Sequence, residues 1–323
     1  MKGIRVIFDG NANAYRANCV VELATKQGFR TSAIIGTLNI IHSTVETLTK
    51  MYEVPVREVI FVWDKGRSSR RMEVFSDYKA NRKKEFTPED KQWMEDFYKQ
   101  TDVLHENLQL FGIKSYRKDH WEGDDLVLGF TTQLSRRYPE DVSIIISTDE
   151  DFHQLISDTV HIFSPIKRIL YTPENYKSIT GISPELFLTY KILKGDSSDG
   201  IPGISGIGEK TAKFLVNTYG DLEGLLDHRD ELVKSKRFAK IFTAEGLFIL
   251  DRNNKLINLK DYVDLLPVTE DIDDILDEEP VVDHKLARDF LMKYQLVSLL
   301  VKYTTWIDLF DEVANNFYEA NII

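Results

Sequence analysis

Three short apolar runs, each followed closely by acidic residues, constrain the fold of this chain most strongly. The runs are Ile4–Phe8, Val59–Trp63 and Val142–Ile146, and each has the length and composition of a buried strand. Helical patterns alternate with these runs, which is typical of an α/β fold with a mostly parallel central sheet and flanking helices. Ligands of such sheets collect at the carboxyl ends of the strands. We therefore expect the acidic residues to meet at one edge of the sheet.

Nine carboxylates in five short motifs are the candidate metal ligands. They are Asp9, Asp64, Glu122, Asp124, Asp125, Asp149, Asp151, Asp196 and Asp199. So many carboxylates in one cleft cannot all ionise without a compensating cation. No Cys or His cluster accompanies them, and oxygen-only ligation favours Mg²⁺ or Mn²⁺ over Zn²⁺. We expect the first five to hold one ion and the last four a second, roughly 3.5–4 Å apart, a spacing that clamps a phosphodiester. For any single residue, a helix cap or a surface charge is the alternative.

The charge of the chain is unevenly distributed. The net charge of −11 argues against a polyanionic partner, but residues 65–84 contain eight Lys and Arg against two acidic residues. Residues 261–283 contain ten acidic residues and no Lys or Arg. We predict that this acidic segment is a solvated linker, and that the basic stretch remains available to phosphate groups.

The basic stretch belongs to a long insertion, about residues 65–102, that follows the second strand. It is predicted to be helical with few core-facing positions. Its candidate nucleic-acid contacts are Tyr78, Lys79, Arg82, Lys83 and Lys84. An aromatic ring beside cations is typical of proteins that stack bases and bind phosphates of single strands. A solvated helix face is the alternative.

A glycine-rich segment forms the second strong motif. Gly203, Gly206 and Gly208 precede Lys210 at the start of a predicted helix. Glycines allow a tight turn and close backbone approach, and a helix N-terminus offers free N–H groups to phosphate. The spacing is not that of a Walker A loop, and no strand precedes it as in a dinucleotide fingerprint. We predict a helix–hairpin–helix element that binds a phosphate backbone, with a plain interhelical turn as the alternative.

The pattern changes from α/β to helical near Ser183, which divides the chain into a core (1–180) and a helical region (181–323). Cys19 is the only cysteine, so no internal disulfide is possible, which fits a reducing cytoplasm. The N-terminus has no signal-peptide pattern, and no uncharged apolar stretch is long enough to span a bilayer. We expect a cytoplasmic monomer.

The motifs together resemble the 5′ nuclease (flap endonuclease) family, which includes bacteriophage 5′–3′ exonucleases and the 5′-nuclease domains of bacterial DNA polymerase I. The similar segments are DGN with Tyr15 and Arg16, WDKG, DYKANR, EGDD, STDEDF and GDSSDGIPGISGIGEKTA. The resemblance implies a PIN-like α/β core, a helical arch formed by the insertion, and a helix–three-turn–helix module at about residues 186–219. It also implies hydrolysis near the 5′ end of DNA or RNA/DNA during primer or flap removal. The chain has no polymerase region, so a stand-alone enzyme of a bacterial cell or phage-infected host is expected.

The resemblance also assigns roles to individual residues. The nine carboxylates would hold two Mg²⁺ ions, which Mn²⁺ could replace, while Lys79 and Arg82 would steer the scissile phosphate. Arg16 would lie near the active site, Lys210 would contact a backbone phosphate, and the Gly203–Gly208 loop would hold K⁺. Expected partners are 5′-flap or nicked duplex DNA, an RNA/DNA hybrid, and a sliding clamp or single-strand-binding protein. The sequence departs from the family pattern at Gly123, where Ala is common, and at Gly200, where Asn is usual.

Two other functions remain open from the sequence: a PIN-type ribonuclease and a catalytically silent protein that binds DNA structures. The tail raises a separate question, because Trp306–Phe310 faintly resembles a clamp-docking peptide without its leading Gln. A helix packed on the core is the favoured alternative for this tail.

Overall fold

A six-stranded sheet forms the centre of the computed structural model, which describes residues 2–20, 22–66, 68–82, 86–260 and 269–321, without the side chains of Arg82 and Asn321. The strands are β1 Ile4–Asp9, β2 Val56–Trp63, β3 Lys114–Arg117, β4 Val142–Ile146, β5 Val160–Ser164 and β6 Ile169–Tyr171, in the order β3-β2-β1-β4-β5-β6. All neighbours pair in parallel except β6, which is antiparallel to β5. The predicted mostly parallel sheet is therefore confirmed.

Helices cover both faces of this sheet and form most of the second half of the chain. The first half contains α1 Gly10–Asn18, α2 Ser32–Tyr52, α3 Ser69–Val74, α4 Pro88–Asn107 and α5 Gly123–Arg137. The second half contains α6 Pro173–Thr180, α7 Phe187–Lys194, α8 Glu209–Tyr219, α9 Leu222–Asp227, α10 Arg229–Leu232, α11 Ala244–Ile257, α12 Thr269–Asp277, α13 His284–Lys293, α14 Val297–Val301 and α15 Tyr303–Asn321. A short antiparallel pair, β7 Gly195–Asp196 and β8 Ile201–Pro202, lies between α7 and α8. Among the described residues, no helix combines the length and apolarity needed to cross a bilayer.

Alternation along the strands divides the core between the two faces of the sheet. Val6 and Phe8 of β1 pack in one apolar cluster with α2, α4 and α15, whereas Ile7 packs in the other with α5. All three side chains are completely buried. Because successive side chains of a strand point to opposite faces, strands this apolar must be covered on both sides. The sheet is therefore held rigidly, and the positions of its strand ends are fixed.

The acidic motifs begin helical segments at the carboxyl ends of these strands. Asp9 ends β1 and caps α1, accepting a hydrogen bond from the Ala12 amide, and Asp149 caps the 3₁₀ helix Glu150–Leu155. Glu122 occupies the N-cap position of α5, with Asp124 in its first turn. Helix N-termini favour negative charge. Since β2, β1 and β4 are neighbours, these caps lie side by side at one edge of the sheet.

The solvated linker predicted for residues 261–283 is wrong over its described part. Thr269–Asp277 forms α12, which buries Ile272 and Leu276 against the core. Its acidic side chains form ion pairs with basic residues of the β3 and α5 regions, Lys118, Arg136 and Arg137. Apolar residues four positions apart on one helix face explain the docking, despite the excess of acidic residues. Residues 261–268 lie outside the described residues.

The C-terminal helices complete the core. Residues 284–301 form two helices, α13 and α14, separated at Gln295, whose φ is +54°. Beyond them, Trp306 and Phe310 of α15 are 1% and 2% exposed, and their rings contact Phe111. Asn316 donates to the Val56 carbonyl at the start of β2. The two rings would have to leave the core to dock on a clamp. The tail is therefore a helix packed on the core, the alternative favoured from the sequence.

We predict that Trp306→Ala lowers the melting temperature of the protein by several degrees, because truncating a buried Trp costs about 3–5 kcal/mol. Val301→Ala is the matched control, since Val301 is 83% exposed. The check is thermal unfolding followed by circular dichroism. Equal melting temperatures for the two variants would show that α15 contributes little to the core.

Candidate functional site

A cavity of about 300 Å³ opens at the carboxyl edge of the sheet. Five carboxylates line it, one from each acidic motif: Asp9, Asp64, Asp124, Asp149 and Asp199. The Lys79 side chain also borders it, and an aromatic wall formed by Tyr15, Phe97 and Tyr98 closes another side. The structure therefore brings five of the nine candidate ligands together in one cleft.

The surroundings of this cleft make three of its carboxylates, Asp9, Asp64 and Asp149, hard to ionise. The protein around Asp9 displaces water and, with the nearby Asp124, raises the pKa of Asp9 to about 6. The same causes, together with Asp9, raise the pKa of Asp64 to about 7, although Asp64 borders the open cleft. Desolvation and the neighbouring Asp151 raise the pKa of Asp149 well above its usual value. Bound cations would remove this penalty by replacing protons.

The remaining four carboxylates lie behind the cleft, paired with two buried cations. The Arg71 guanidinium donates to both oxygens of Asp125, at 2.7 and 3.1 Å, and to Glu122 at 2.6 Å. The Lys191 ammonium lies 2.8 Å from Asp151 and also pairs with Asp196. The expected division into five ligands of one ion and four of another stays a prediction, and in this structure four of the nine carboxylates are engaged by Arg71 and Lys191.

These cations keep two of their four partners ionised, whereas burial raises the pKa of Asp125 and raises that of Asp151 to about 6. Although burial opposes it, Lys191 and Ser198 hold the pKa of Asp196 at about 2. Burial likewise opposes ionisation of Glu122, but Lys79 and Arg71 lower its pKa. Glu122 and Asp196 thus carry charges that are already neutralised, whereas the cleft carboxylates lack enough positive charge. The sequence reasoning missed Lys191, although a Lys within the apolar helix segment LTYKILK was a usable signal.

Lys79 remains charged at the edge of the cleft. Its ammonium lies 3.0 Å from Glu122 and 3.9 Å from Asp199, and despite burial these anions and Asp124 raise its pKa. Its backbone amide donates to the Asp199 carbonyl, and its φ is +55°. The main chain therefore fixes this cation beside the cleft, where it can meet a phosphate.

Tyr78 does not occupy the position predicted for it. Its ring is 2% exposed, and its hydroxyl donates to Glu122 at 2.9 Å. The prediction that Tyr78 stacks on a base is wrong, because the ring packs with Ile201 and Leu256 in a small apolar cluster. The Arg82 side chain and residues Lys83 and Lys84 lie outside the described residues, so their predicted roles stay predictions.

The insertion and the neighbouring helix α1 contribute other polar and aromatic groups. Asn81 donates to the Ser197 carbonyl, which joins the insertion to the loop between β7 and β8. Tyr15 of α1 is half exposed, and its ring contacts Trp93 and Phe97 of α4. Arg16 is half-buried, and in the described part of the chain its Nη1 has no hydrogen-bond partner.

The glycine-rich segment connects α7, through β7 and β8, to α8. Position 206 requires glycine, because its φ of +87° would strain any residue with a side chain. Position 203 also requires glycine, because a Cβ there would fall 2.2 Å from the Lys194 carbonyl carbon. Gly208 precedes α8 in open space, and Lys210 is exposed in the first turn of that helix. A turn between two helices is present, with an accessible helix N-terminus, and its predicted role in binding a phosphate backbone stays a prediction.

The donor set of the cleft fits a hard divalent cation. Its side chains offer carboxylate oxygens, the ligands that Mg²⁺ and Mn²⁺ prefer. In the described parts of the chain, however, no three acidic, His or Cys side chains are already placed closely enough to hold a metal ion. A bound cation would offset the repulsion between these carboxylates and let them approach it more closely.

The fold and the cleft define an α/β protein with an acidic, oxygen-only site and a glycine-rich turn between two helices. The family model described as "5′-3′ exonuclease, N-terminal resolvase-like domain" matches residues 5–181, and "5′-3′ exonuclease, C-terminal SAM fold" matches residues 182–280. The chain belongs to the 5′–3′ exonuclease family.

Individual relatives agree with this family. The chain is 28% identical to the 5′-3′ exonuclease of Aquifex aeolicus, covering 82% of this chain and 85% of that protein. It is 32% identical to DNA polymerase I of Bacillus subtilis, over 73% of this chain but 26% of the relative. It thus spans about a quarter to a third of the DNA polymerase I relatives. The structure of bacteriophage T5 5′-exonuclease with bound zinc is similar, with a TM-score of 0.69 and 26% identity over 85% of this chain and 98% of that chain.

We predict that Asp64→Asn raises the melting temperature of the metal-free protein at pH 8. A carboxylate whose pKa is raised on folding contributes stability at low pH that is lost as the pH rises toward 7. The wild type should therefore fall behind the Asn variant progressively between about pH 4 and pH 7, and the difference should stay nearly constant above that. Melting in EDTA across this range is the check, with the exposed Asp158→Asn as control. A difference in melting temperature between the two proteins that does not grow with pH would contradict the raised pKa of Asp64.

Proposed function

We propose that the chain is a structure-specific 5′ nuclease that hydrolyses phosphodiester bonds near the 5′ end of DNA or RNA/DNA by two-metal-ion catalysis. The observation that carries the proposal is the cleft in which five carboxylates with too little positive charge face Lys79. Family membership supports it, as do the divalent ions bound to the similar T5 5′-exonuclease. Removal of 5′ flaps and primers in replication is the role we infer, because relatives include DNA polymerase I.

The cleft carboxylates Asp9, Asp64, Asp124, Asp149 and Asp199 would hold the ions, which we take to be Mg²⁺, with Mn²⁺ as a substitute. When bound, such ions acidify a water and stabilise charge on the transferring phosphate. The Glu122, Asp125, Asp151 and Asp196 side chains, fixed by Arg71 and Lys191, shape the site from behind. They orient the backbone that carries the cleft carboxylates and are positioning residues.

Lys79 would contact the scissile phosphate directly. Its charge is held at the cleft by Glu122 and Asp199, and such a cation is most effective where negative charge develops during the reaction. The exposed rings of Tyr15 and Tyr98 border the same cleft and offer the stacking surface that Tyr78 cannot. A base next to the scissile phosphate would therefore rest on α1 and α4.

The glycine-rich turn before α8 would anchor the duplex. The open N-terminus of α8 and the exposed Lys210 suit a backbone phosphate, and backbone carbonyls of the Gly203–Gly208 loop would hold the K⁺ ion. The net negative charge of the chain does not oppose this binding to phosphates. Part of the acidity lies in α12, where it is paired with basic residues of the core.

Two observations favour the nuclease over the other functions. A silent DNA-binding protein would not need a cleft lined by five carboxylates, of which Asp9 and Asp64 have pKa values raised to about 6 and about 7. A PIN-type ribonuclease would not need the glycine-rich helical region, which here matches the C-terminal family model.

We predict that Asp149→Asn reduces the Mg²⁺-dependent cleavage of a labelled 5′-flap duplex by at least about 100-fold, because a charged metal ligand is lost. Duplex affinity measured in EDTA should stay unchanged or rise, since phosphate contacts lie elsewhere and an anion is removed. The exposed Asp158→Asn is the control and should cut at the wild-type rate. Cleavage by Asp149→Asn at the wild-type rate would contradict the assignment of Asp149 as a metal ligand. Loss of cleavage by both variants would show that the effect is not specific to the cleft.

A further inference from the structure

The β7–β8 hairpin, residues 195–202, joins the carboxylate cleft to the glycine-rich turn. Asp199 in its loop lines the cleft, and Pro202 at its end directly precedes Gly203. Each of its strands has only two residues, and two residue pairs connect them. Because a short two-stranded hairpin is marginally stable by itself, other parts of the chain must hold this one in place.

The insertion is attached to the loop of this hairpin. The Lys79 amide donates to the Asp199 carbonyl at 2.9 Å, and the Asn81 side chain donates to the Ser197 carbonyl at 2.8 Å. The position of the Lys79 ammonium at the cleft therefore depends on the position of the hairpin. A displacement of about 1 Å at an active site can slow a reaction about 100-fold, so whatever fixes the hairpin affects the proposed chemistry.

Asn253 of α11 fixes the end of the hairpin. Its side chain is completely buried, and its Nδ2 donates to the Ile192 carbonyl at 2.9 Å and to the Pro202 carbonyl at 3.0 Å. Its Oδ1 accepts from Nε and Nη2 of Arg252, at 3.1 and 2.8 Å. An amide has two donor hydrogens and two acceptor lone pairs, so all four are engaged and the side chain has one favoured orientation. Asn253 thereby joins the end of β8 to α7.

Arg252 extends this contact to the insertion. Its Nη2 donates to the same Pro202 carbonyl at 2.7 Å, and its guanidinium carbon lies 4.9 Å from the centre of the Phe75 ring. An aromatic ring face attracts such a cation. One turn further along α11, the Leu256 carbonyl accepts from the Arg71 Nε at 3.3 Å. The C-terminal half of α11 thus contacts both the hairpin and the insertion.

We propose that Asn253 and Arg252 are positioning residues of the active site, which hold the hairpin so that Asp199 and Lys79 stay beside each other at the cleft. Neither Asn253 nor Arg252 lines the cleft, so they act through the hairpin and not on a substrate or an ion. The catalytic consequence rests on the proposed nuclease function. The placement of Lys79 by α11 does not depend on it.

Asn253→Asp tests the proposal with a side chain of nearly the same size. The carboxylate can still accept from Arg252, but it has no N–H group for the Ile192 and Pro202 carbonyls. Leu250→Ala is the matched control, because Leu250 is a buried residue of the same helix whose side chain packs in the core. Both variants should lower the melting temperature, so a loss of stability alone does not distinguish them.

Hydrogen–deuterium exchange in EDTA measures the placement of Lys79 without metal or substrate. Rates for the peptide containing Lys79 are taken relative to the peptide containing Val6 of β1, which reports on unfolding of the core. We expect this relative rate to be at least about tenfold higher in Asn253→Asp than in Leu250→Ala, because the acceptor of the Lys79 amide is no longer held. Equal relative rates in the two variants would overturn the proposal.

Arg252→Ala is a milder variant, which removes one of the two side chains that donate to Pro202 and leaves Asn253 in place. The relative exchange rate of the Lys79 peptide should rise at least about threefold, and Arg252→Lys should restore part of the protection, since its ammonium can donate to the same carbonyl. If Asn253→Asp does not fold, this pair decides the question. An unchanged rate in Arg252→Ala would then overturn the proposal.

Metal binding and cleavage test the catalytic consequence. The affinity for Mn²⁺, measured from the electron paramagnetic resonance signal of the free ion, should be at least about tenfold weaker in Asn253→Asp than in Leu250→Ala. The single-turnover cleavage rate of a saturating 5′-flap duplex should also be at least about tenfold lower. A loss confined to duplex affinity, with Mn²⁺ binding and rate equal to those of the control, would overturn the positioning role. If the wild type itself neither binds Mn²⁺ nor cleaves, the proposed function fails, and the exchange comparison still decides the placement of Lys79.

Discussion

Repulsion among carboxylates at the carboxyl edge of the sheet is the constraint on which the rest of the structure depends. The fold brings acidic motifs of β1, β2, β4, α5 and the β7–β8 loop to one place, where burial makes their ionisation costly. Arg71, Lys79 and Lys191 offset part of this cost by pairing with Glu122, Asp125, Asp151 and Asp196. The charge that remains uncompensated is confined to the cleft, where divalent cations would complete the balance.

The same cations hold separate parts of the chain together. Arg71 comes from the insertion and pairs with two acidic residues of the α5 N-terminus. Lys79 and Asn81 bond to the carbonyls of Asp199 and Ser197, in the loop between β7 and β8. The insertion, the core and the helical region therefore meet at the candidate site. Removing one member of such a buried pair leaves an uncompensated charge, so these pairs affect stability as well as the site.

Much of the fold and the composition of the site followed from local sequence patterns. Apolar runs gave the strands, and an acidic residue directly after a strand is naturally a helix cap, as Asp9 and Asp149 are. The ion pairs behind the cleft could not be predicted from these patterns. Arg71 and Asp125, for example, are 54 positions apart, and local periodicity carries no information about such contacts. Tyr78 was misassigned for the same reason, since a basic stretch follows it in sequence while its ring packs against Ile201 and Leu256 from distant parts of the chain. The docking of α12 depends on Ile272 and Leu276, two apolar residues within an acidic segment. The acidic composition of that segment predicted a solvated linker, although the spacing of these two residues indicated a buried helix face.

The most direct test of the central claim is a count of the divalent ions that the cleft binds. Crystals of the protein soaked in Mn²⁺ and measured for anomalous scattering would show each ion and its ligands. The account predicts two Mn²⁺ ions roughly 3.5–4 Å apart, with ligands among Asp9, Asp64, Asp124, Asp149 and Asp199. A well-formed cleft with no ion, or with ions only at Glu122, Asp125 or Asp196, would contradict it.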